Sequence, residues 1–227
     1  MESNVQIIKA PAGRSNVYFI KNEECCVMID AGFSGLSKIE TIANSNGIDF
    51  KKINMLILTH THYDHVNLLY DLNKKIYAEI LVHQAGEKYL KFGQNPEPKN
   101  PTFLGRLVLL ITKFSGAGKF DPVVPDTVID GEFSTNKFGF DLEIIPTPGH
   151  SDDSITIIID KKWAFVGDTL FHLLPNSLYP MFVDDKVKLK ESWKRLLDLN
   201  CEYYFPGHGK KISYEMLKKH YKKLFAA

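Results

Sequence analysis

A chain of 227 residues, 44% hydrophobic and 24% charged, has an ordinary globular composition and is long enough to bury a sizeable core as one domain or two small ones. Its 28 basic and 27 acidic side chains leave a net charge of +1, which excludes a global field drawing it to nucleic acid or to an anionic membrane. No apolar run approaches the roughly 18 residues of a membrane span, and Met1-Glu2-Ser3-Asn4-Val5-Gln6 carries an acid and no basic stretch, unlike a secretion signal.

In chain order, short apolar runs rich in β-branched residues and bounded by Gly, Asp or Pro predict strands at 17–20, 25–29, 55–58, 80–82, 144–145, 155–159 and 164–166. Between them, apolar spacing predicts helices over 36–44 and 66–75, and two more over 189–199 and 214–225. In the last, Tyr214, Leu217, Tyr221 and Leu224 form one stripe, and Lys218, Lys219, Lys222 and Lys223 read as a solvated face rather than a nucleic-acid surface. Cys25, Cys26 and Cys201 are odd in number and lack a CxxC spacing, so they read as reduced core filler in a cytoplasmic protein.

One composition break stands out, at 93–120. Pro96, Pro98 and Pro101 lead into an apolar run from Phe103 to Ile111, and Gly116 and Gly118 follow. On a helix Phe103, Leu107, Leu110, Ile111 and Phe114 share a face that Leu104 and Val108 broaden. The protein's own core, a homodimer contact or a lid over a cleft are the three ways to cover it. The flanking prolines and glycines favour a segment that moves as a unit, hence the lid or the dimer face. The expected organisation is a single domain over 1–227 carrying this apolar helical insertion.

The stretch His60-Thr61-His62-Tyr63-Asp64-His65 puts four potential ligands directly after the apolar run 53–58. Continued as an extended segment, it projects His60, His62 and Asp64 to one side, with His65 beginning the helix. Four donors from so short a segment do not converge on one centre, so two metal ions suit them better than one. Three later sites repeat a glycine before a potential ligand at expected strand ends: Gly149-His150, Gly167-Asp168 and Gly207-His208. Glycine there permits close backbone approach. Imidazole and carboxylate donors without cysteine suit zinc, iron or manganese rather than a structural thiolate site.

These residues resemble the HxHxDH signature of the metallo-β-lactamase-fold metallohydrolases, and His150, Asp168 and His208 match that family's remaining ligands in order and context. The likeness runs from Asp30-Ala31-Gly32 to Pro206-Gly207-His208. It implies an α/β fold, a four-layer αββα sandwich with metals at one edge between the sheets. By the same resemblance His60, His62 and His150 hold a first ion, Asp64, His65 and His208 a second, and Asp168 bridges them. Zinc is the expected metal, with iron and manganese as alternatives. Asp30 matches a position that supports the ligands from behind; a turn aspartate at a strand end is the competing reading. The usual glycine pair after the motif is replaced by Val66-Asn67-Leu68, with Asn67 able to take left-handed geometry.

Two such metals lower the pKa of a shared water enough to yield hydroxide near neutral pH, the expected nucleophile, with Asp64 as the catalytic residue that orients it. No GxSxG elbow competes for that role. The run 166–171 is similar to the glyoxalase II branch, the hydroxyacylglutathione thioesterases, although the chain is short for it and shows no separate glutathione-binding helical domain. The expected activity is therefore hydrolysis of a small thioester or ester. Phosphodiesterase, nuclease or lactonase chemistry, a mononuclear iron persulfide dioxygenase, and a regulatory protein without catalysis are the alternatives. Of the other histidines, His220 is expected in solvent and His83 at a turn or cap. His172, within four residues of Asp168, is a candidate for a place near substrate or behind the site, against the competing reading of no role there, and Tyr63 and Tyr179 are candidate donors to substrate.

Overall fold

The computed structural model describes residues 4–103, 105–107, 110 and 118–225. Among these residues the strands form two six-stranded sheets, each in chain order across the sheet. The first holds β1 (Gln6–Ala12), β2 (Ser15–Lys21), β3 (Cys26–Ile29), β4 (Met55–Ile57), β5 (Glu79–His83) and β6 (Thr127–Ile129). The second holds β7 (Phe133–Thr135), β8 (Leu142–Pro146), β9 (Ile155–Ile159), β10 (Trp163–His172), β11 (Tyr203–Gly209) and β12 (Ile212–Ser213).

From β3 to β6 the strands run parallel, and each parallel step needs a crossover. These are α1 (Leu36–Ser45), then α2 (Tyr63–Val66) with α3 (Leu69–Asn73), then α4 (Gln84–Phe92) with the 93–120 segment. In the second sheet β10 and β11 are parallel, joined through α5 (Lys186–Leu199), and α6 (Tyr214–Phe225) follows β12. Asp185 caps α5 by accepting from the Val187 and Lys188 amides, an interaction worth about 1 kcal/mol.

Strand periodicity sorts the apolar residues into three cores. Val27 and Ile29 of β3 and Met55 and Ile57 of β4 meet Ile155, Ile157 and Ile159 of β9 between the sheets. The alternate residues, Met28 and Leu56, face Ile39 and Ala43 of α1, Leu69 and Leu72 of α3 and Leu90 of α4. Ile158, Ala164 and Val166 turn the other way, onto Leu189, Trp193 and Leu196 of α5 and Leu217 of α6. Three cores between four layers make the αββα sandwich. Truncating a fully buried residue such as Leu56 to alanine would cost about 2–5 kcal/mol.

Several sequence expectations change. The helix expected over 66–75 is two short ones: α2 starts at Tyr63, so Asp64 and His65 are both helical, and a turn at Asn67 and Leu68 precedes α3. Asn67 is right-handed, φ −57°, not left-handed, and its side-chain amide donates to the Phe33 carbonyl at 2.9 Å. The strand expected over 164–166 runs on to His172, with register shifts against β11, because parallel pairing continues past Gly167. Strand β1, which the sequence reading did not predict, carries Pro11; as an edge strand it tolerates the missing amide.

His220 is buried, not solvated. Its Nδ1 lies 2.9 Å from the Met216 carbonyl, while Leu224 of the expected stripe is 42% exposed. His83 caps α4, accepting from the Ala85 amide, as a cap reading requires. Cys26 and Cys201 are buried and Cys25 packs on the inter-sheet core; all three are free. Burial pushes the Cys26 thiol up to about 12. In the insertion Phe103, Leu107 and Leu110 are exposed, at 89%, 49% and 58%; Leu104, Val108, Ile111 and Phe114 lie outside the described residues. Among the described residues no helix is long and apolar enough to cross a membrane.

Candidate metal centre

All seven sequence-nominated residues converge at one edge of the two sheets. His60 and His62 follow β4, Asp64 and His65 lie in α2, His150 sits in the loop after β8, Asp168 is inside β10 and His208 inside β11. His60, His62 and His150 form one group whose ligand atoms lie within 4.8 Å of one another, and Asp64, His65 and His208 form another. Because α2 begins at Tyr63, Asp64 joins His65 and His208 rather than sharing an extended face with His60 and His62. Asp168 lies between the groups: Oδ1 is 3.3 Å from His65 Nε2, and Oδ2 is 3.6 Å from His150 Nε2 and 3.4 Å from His208 Nε2.

Hydrogen bonds on the far side of four imidazoles fix which nitrogen faces inward. The Nδ1 of His65 meets Asp30 Oδ2 at 2.8 Å, that of His150 the Phe182 carbonyl at 2.8 Å, and that of His208 the Arg14 carbonyl at 2.8 Å. These oxygens only accept, so each Nδ1 carries hydrogen and each Nε2 points into the cluster. The Thr59 hydroxyl donates its single proton to Asp30, which leaves it only the acceptor role toward His60 Nδ1 at 3.1 Å. Asp30 thus aims two of the histidines, at the cost of a left-handed backbone, φ 60°, worth about 1–3 kcal/mol. That arrangement favours the supporting reading of Asp30 over a plain turn residue.

The donor set fits a metal ion on its own terms. His60 Nε2 and Asp168 Oδ1 are buried and have no sound hydrogen-bond partner among the described residues, an expensive state unless a ligand completes them. His150 Nε2 and His62 Nδ1 face each other at 2.8 Å, and His65 Nε2 and His208 Nε2 at 3.4 Å. Gly207 is needed here, since a Cβ would crowd Asp168 Oδ1 and stand 2.5 Å from His65 Cε1. Phe171 closes one side, its ring 4.6 Å from that of His208 and 6.3 Å from that of His150.

Electrostatics divides the histidines in two. Burial and the neighbouring imidazoles push His60 well below its ordinary value and His150 down to about 4, so both stay neutral. Burial also opposes the charge on His208 and His65, but the Asp168 carboxylate, joined by Asp64 and for His65 by Asp30, overcomes it. His208 rises to about 10 and His65 well above its ordinary value. Both therefore hold protons at neutral pH, which an incoming ion must displace. Metal uptake is expected to weaken as pH falls, by about tenfold per unit for each proton released. Titrations at pH 6 and 8, with proton release read from buffers of different ionisation enthalpy, check this; a pH-independent affinity would contradict it.

His172 ends β10 with Nδ1 at 3.1 Å from the Lys210 carbonyl, tying that strand to the turn after β11. Sequence reasoning missed Asp153, a buried carboxylate three residues after His150, and the backbone carbonyls of Arg14 and Phe182, which leave no side-chain signature.

A family model described as the metallo-beta-lactamase superfamily matches residues 10–208. The chain is 29% identical over 217 residues to a metallo-beta-lactamase fold-containing protein of Sulfurisphaera tokodaii, covering 93% of this chain and 79% of that one. The crystal structure of an archaeal metallo-beta-lactamase superfamily protein from Sulfolobus tokodaii matches with a TM-score of 0.73 at 25% identity, over 96% of this chain and 85% of that one. A probable metallo-hydrolase of Methanocaldococcus jannaschii is 29% identical, over 86% of this chain and 87% of its own length. The hydroxyacylglutathione hydrolase GloC of Haemophilus influenzae is 31% identical, over 74% of this chain and 72% of its own.

Proposed function

Because the chain belongs to the metallo-β-lactamase superfamily and is a metal-dependent hydrolase, we propose that it binds two divalent ions, zinc foremost, and hydrolyses a small thioester or ester. The observation that carries the dinuclear reading is the pair of donor triads with the Asp168 carboxylate between them. His60, His62 and His150 hold the first ion, Asp64, His65 and His208 the second, and Asp168 serves both. Metal ions held by these residues would supply Lewis-acid chemistry, making water a stronger nucleophile near neutral pH and polarising the substrate's electrophilic group.

The chain's own residues supply the rest. Asp64 is the most open of the site carboxylates, 33% exposed, and its Oδ2 lies 3.1 Å from His208 Nε2. From there it accepts a hydrogen bond from the attacking water and orients it. Phe171, packed on two site imidazoles, excludes solvent from that side, where a drier site strengthens every charge interaction.

The substrate class rests on the likeness to a hydroxyacylglutathione hydrolase and on the insertion. Pro101 of that insertion bridges to Phe182, whose carbonyl holds His150, and Phe103, Leu107 and Leu110 of the same insertion are exposed. In this reading they form an apolar lid over the acyl group. Elemental analysis of reconstituted protein is expected to give two ions per chain. The same preparation, offered thioesters, esters, lactones, β-lactams and phosphodiesters, is expected to show its highest kcat/KM on thioesters. One ion per chain with oxygen consumed on a persulfide would replace this reading with a mononuclear dioxygenase.

A further inference from the structure

We infer that Asp153 is a positioning residue for the first donor triad, acting through Thr61 to set His62 against His150. The inference rests on the metal reading above.

His62 differs from the other four site histidines. Those have the ring nitrogen that faces away from the cluster fixed by Thr59, Asp30, Phe182 or Arg14. Among the described residues, the one side-chain hydrogen bond of His62 is Nδ1 to His150 Nε2, between two atoms that both face the cluster. Among the described residues no hydrogen bond holds its ring from behind, so its aim depends on where the backbone carries it.

That backbone is clamped one residue earlier. Asp153 Oδ2 accepts from the Thr61 amide at 2.8 Å and from the Thr61 hydroxyl at 2.6 Å. Both residues are buried, at 3% and 0% exposure. A carboxylate so placed needs strong donors, and Thr61 provides two. Helix α4 closes over the pair: a Cβ on Gly86 would stand 2.7 Å from Asp153 Oδ2 and 2.8 Å from Thr61 Cγ2.

The connection matters because the triad has two origins. His60 and His62 come from the turn after β4 in the first sheet, and His150 from the loop after β8 in the second. Asp153 belongs to the second loop and bonds the residue between the two histidines of the first. It is a strut across the gap that the first ion has to span.

The test is competition of zinc against a chromophoric chelator, with thermal melting of the metal-free protein alongside; the step lost in His150→Ala identifies the first subsite. Asp153→Ala is expected to weaken that subsite by about 10–100-fold, as for other residues that aim ligands, and to leave the second step near the parent's. Asp153→Asn keeps an acceptor oxygen for Thr61 and is expected to restore most of the affinity. Thr61→Val, which loses the hydroxyl but keeps the amide, is expected to fall between them, and Asp152→Asn, on the exposed neighbour, to match the parent. Equal weakening of both subsites in step with a lower melting temperature would make Asp153 merely structural and overturn the inference. If Asp153→Ala does not fold, Thr61→Val decides, and an unchanged first step there overturns it. A parent that binds no zinc overturns the hydrolase reading and this inference together; a two-ion parent with Asp153→Ala unchanged overturns this inference alone.

Discussion

Asp168→Ala is expected to lose more than about a hundredfold in kcat/KM, beyond the 10–100-fold typical of residues that only aim ligands, because it removes the carboxylate between both triads. The fold should persist. Asp168 belongs to none of the three apolar cores, and His65 and His208, relieved of the charge that raises them, return toward the neutral form that burial favours. Circular dichroism, metal content and kcat/KM on one preparation test the three parts together. His62→Ala should follow the same course, losing activity and the first ion. A metal-depleted Asp168→Ala protein that turned over substrate at the parental rate would show that the nucleophile does not arise at this centre.

Gly207→Ala should be nearly as damaging although it adds one methyl group. Gly207 is absent from the positive-φ positions, so alanine brings no backbone strain there. Its Cβ would instead crowd Asp168 Oδ1 and the His65 ring, in the space where the second triad converges. Loss of the second ion and a fall in kcat/KM of more than about a hundredfold are expected, with the melting temperature of the metal-free protein changing far less. Unaltered metal stoichiometry in this variant would mean that the triad has room to relax and that the donors need not sit as close as they do.

Much of the fold is legible in short windows of sequence. The runs at 55–58 and 155–159 are strands because β-branched and long aliphatic residues fill both faces of a buried sheet, and the α1 and α5 spacing follows the helical period. β7 and β12 are two or three residues long and half polar, so no window separates them from loop. On the terminal helix the buried face is wider than its apolar stripe: a histidine counts as polar in a pattern, yet His220 satisfies its nitrogen within its own helix and can be buried.

The site divides in the same manner. Residue type and spacing alone nominate His60, His62, Asp64, His65, His150, Asp168 and His208, since imidazole and carboxylate beside glycine carry their chemistry wherever the chain takes them. The grouping is implied by the family resemblance; what only the tertiary structure decides is its local cause and the aim of each side chain. Asp64 lies with His65 and His208, as the resemblance implies, because the helix starts at Tyr63, two residues before the His65 start of an extended reading. The carbonyls of Phe182 and Arg14, the strained Asp30 and the Asp153 strut act across 32, 194, 35 and 92 residues of chain, respectively. Local sequence encodes propensity and chemical identity; the hydrogen bonds that orient a candidate metal ligand join segments far apart in the chain, within one sheet for Asp30 and Phe182 and between the two sheets for Arg14 and Asp153.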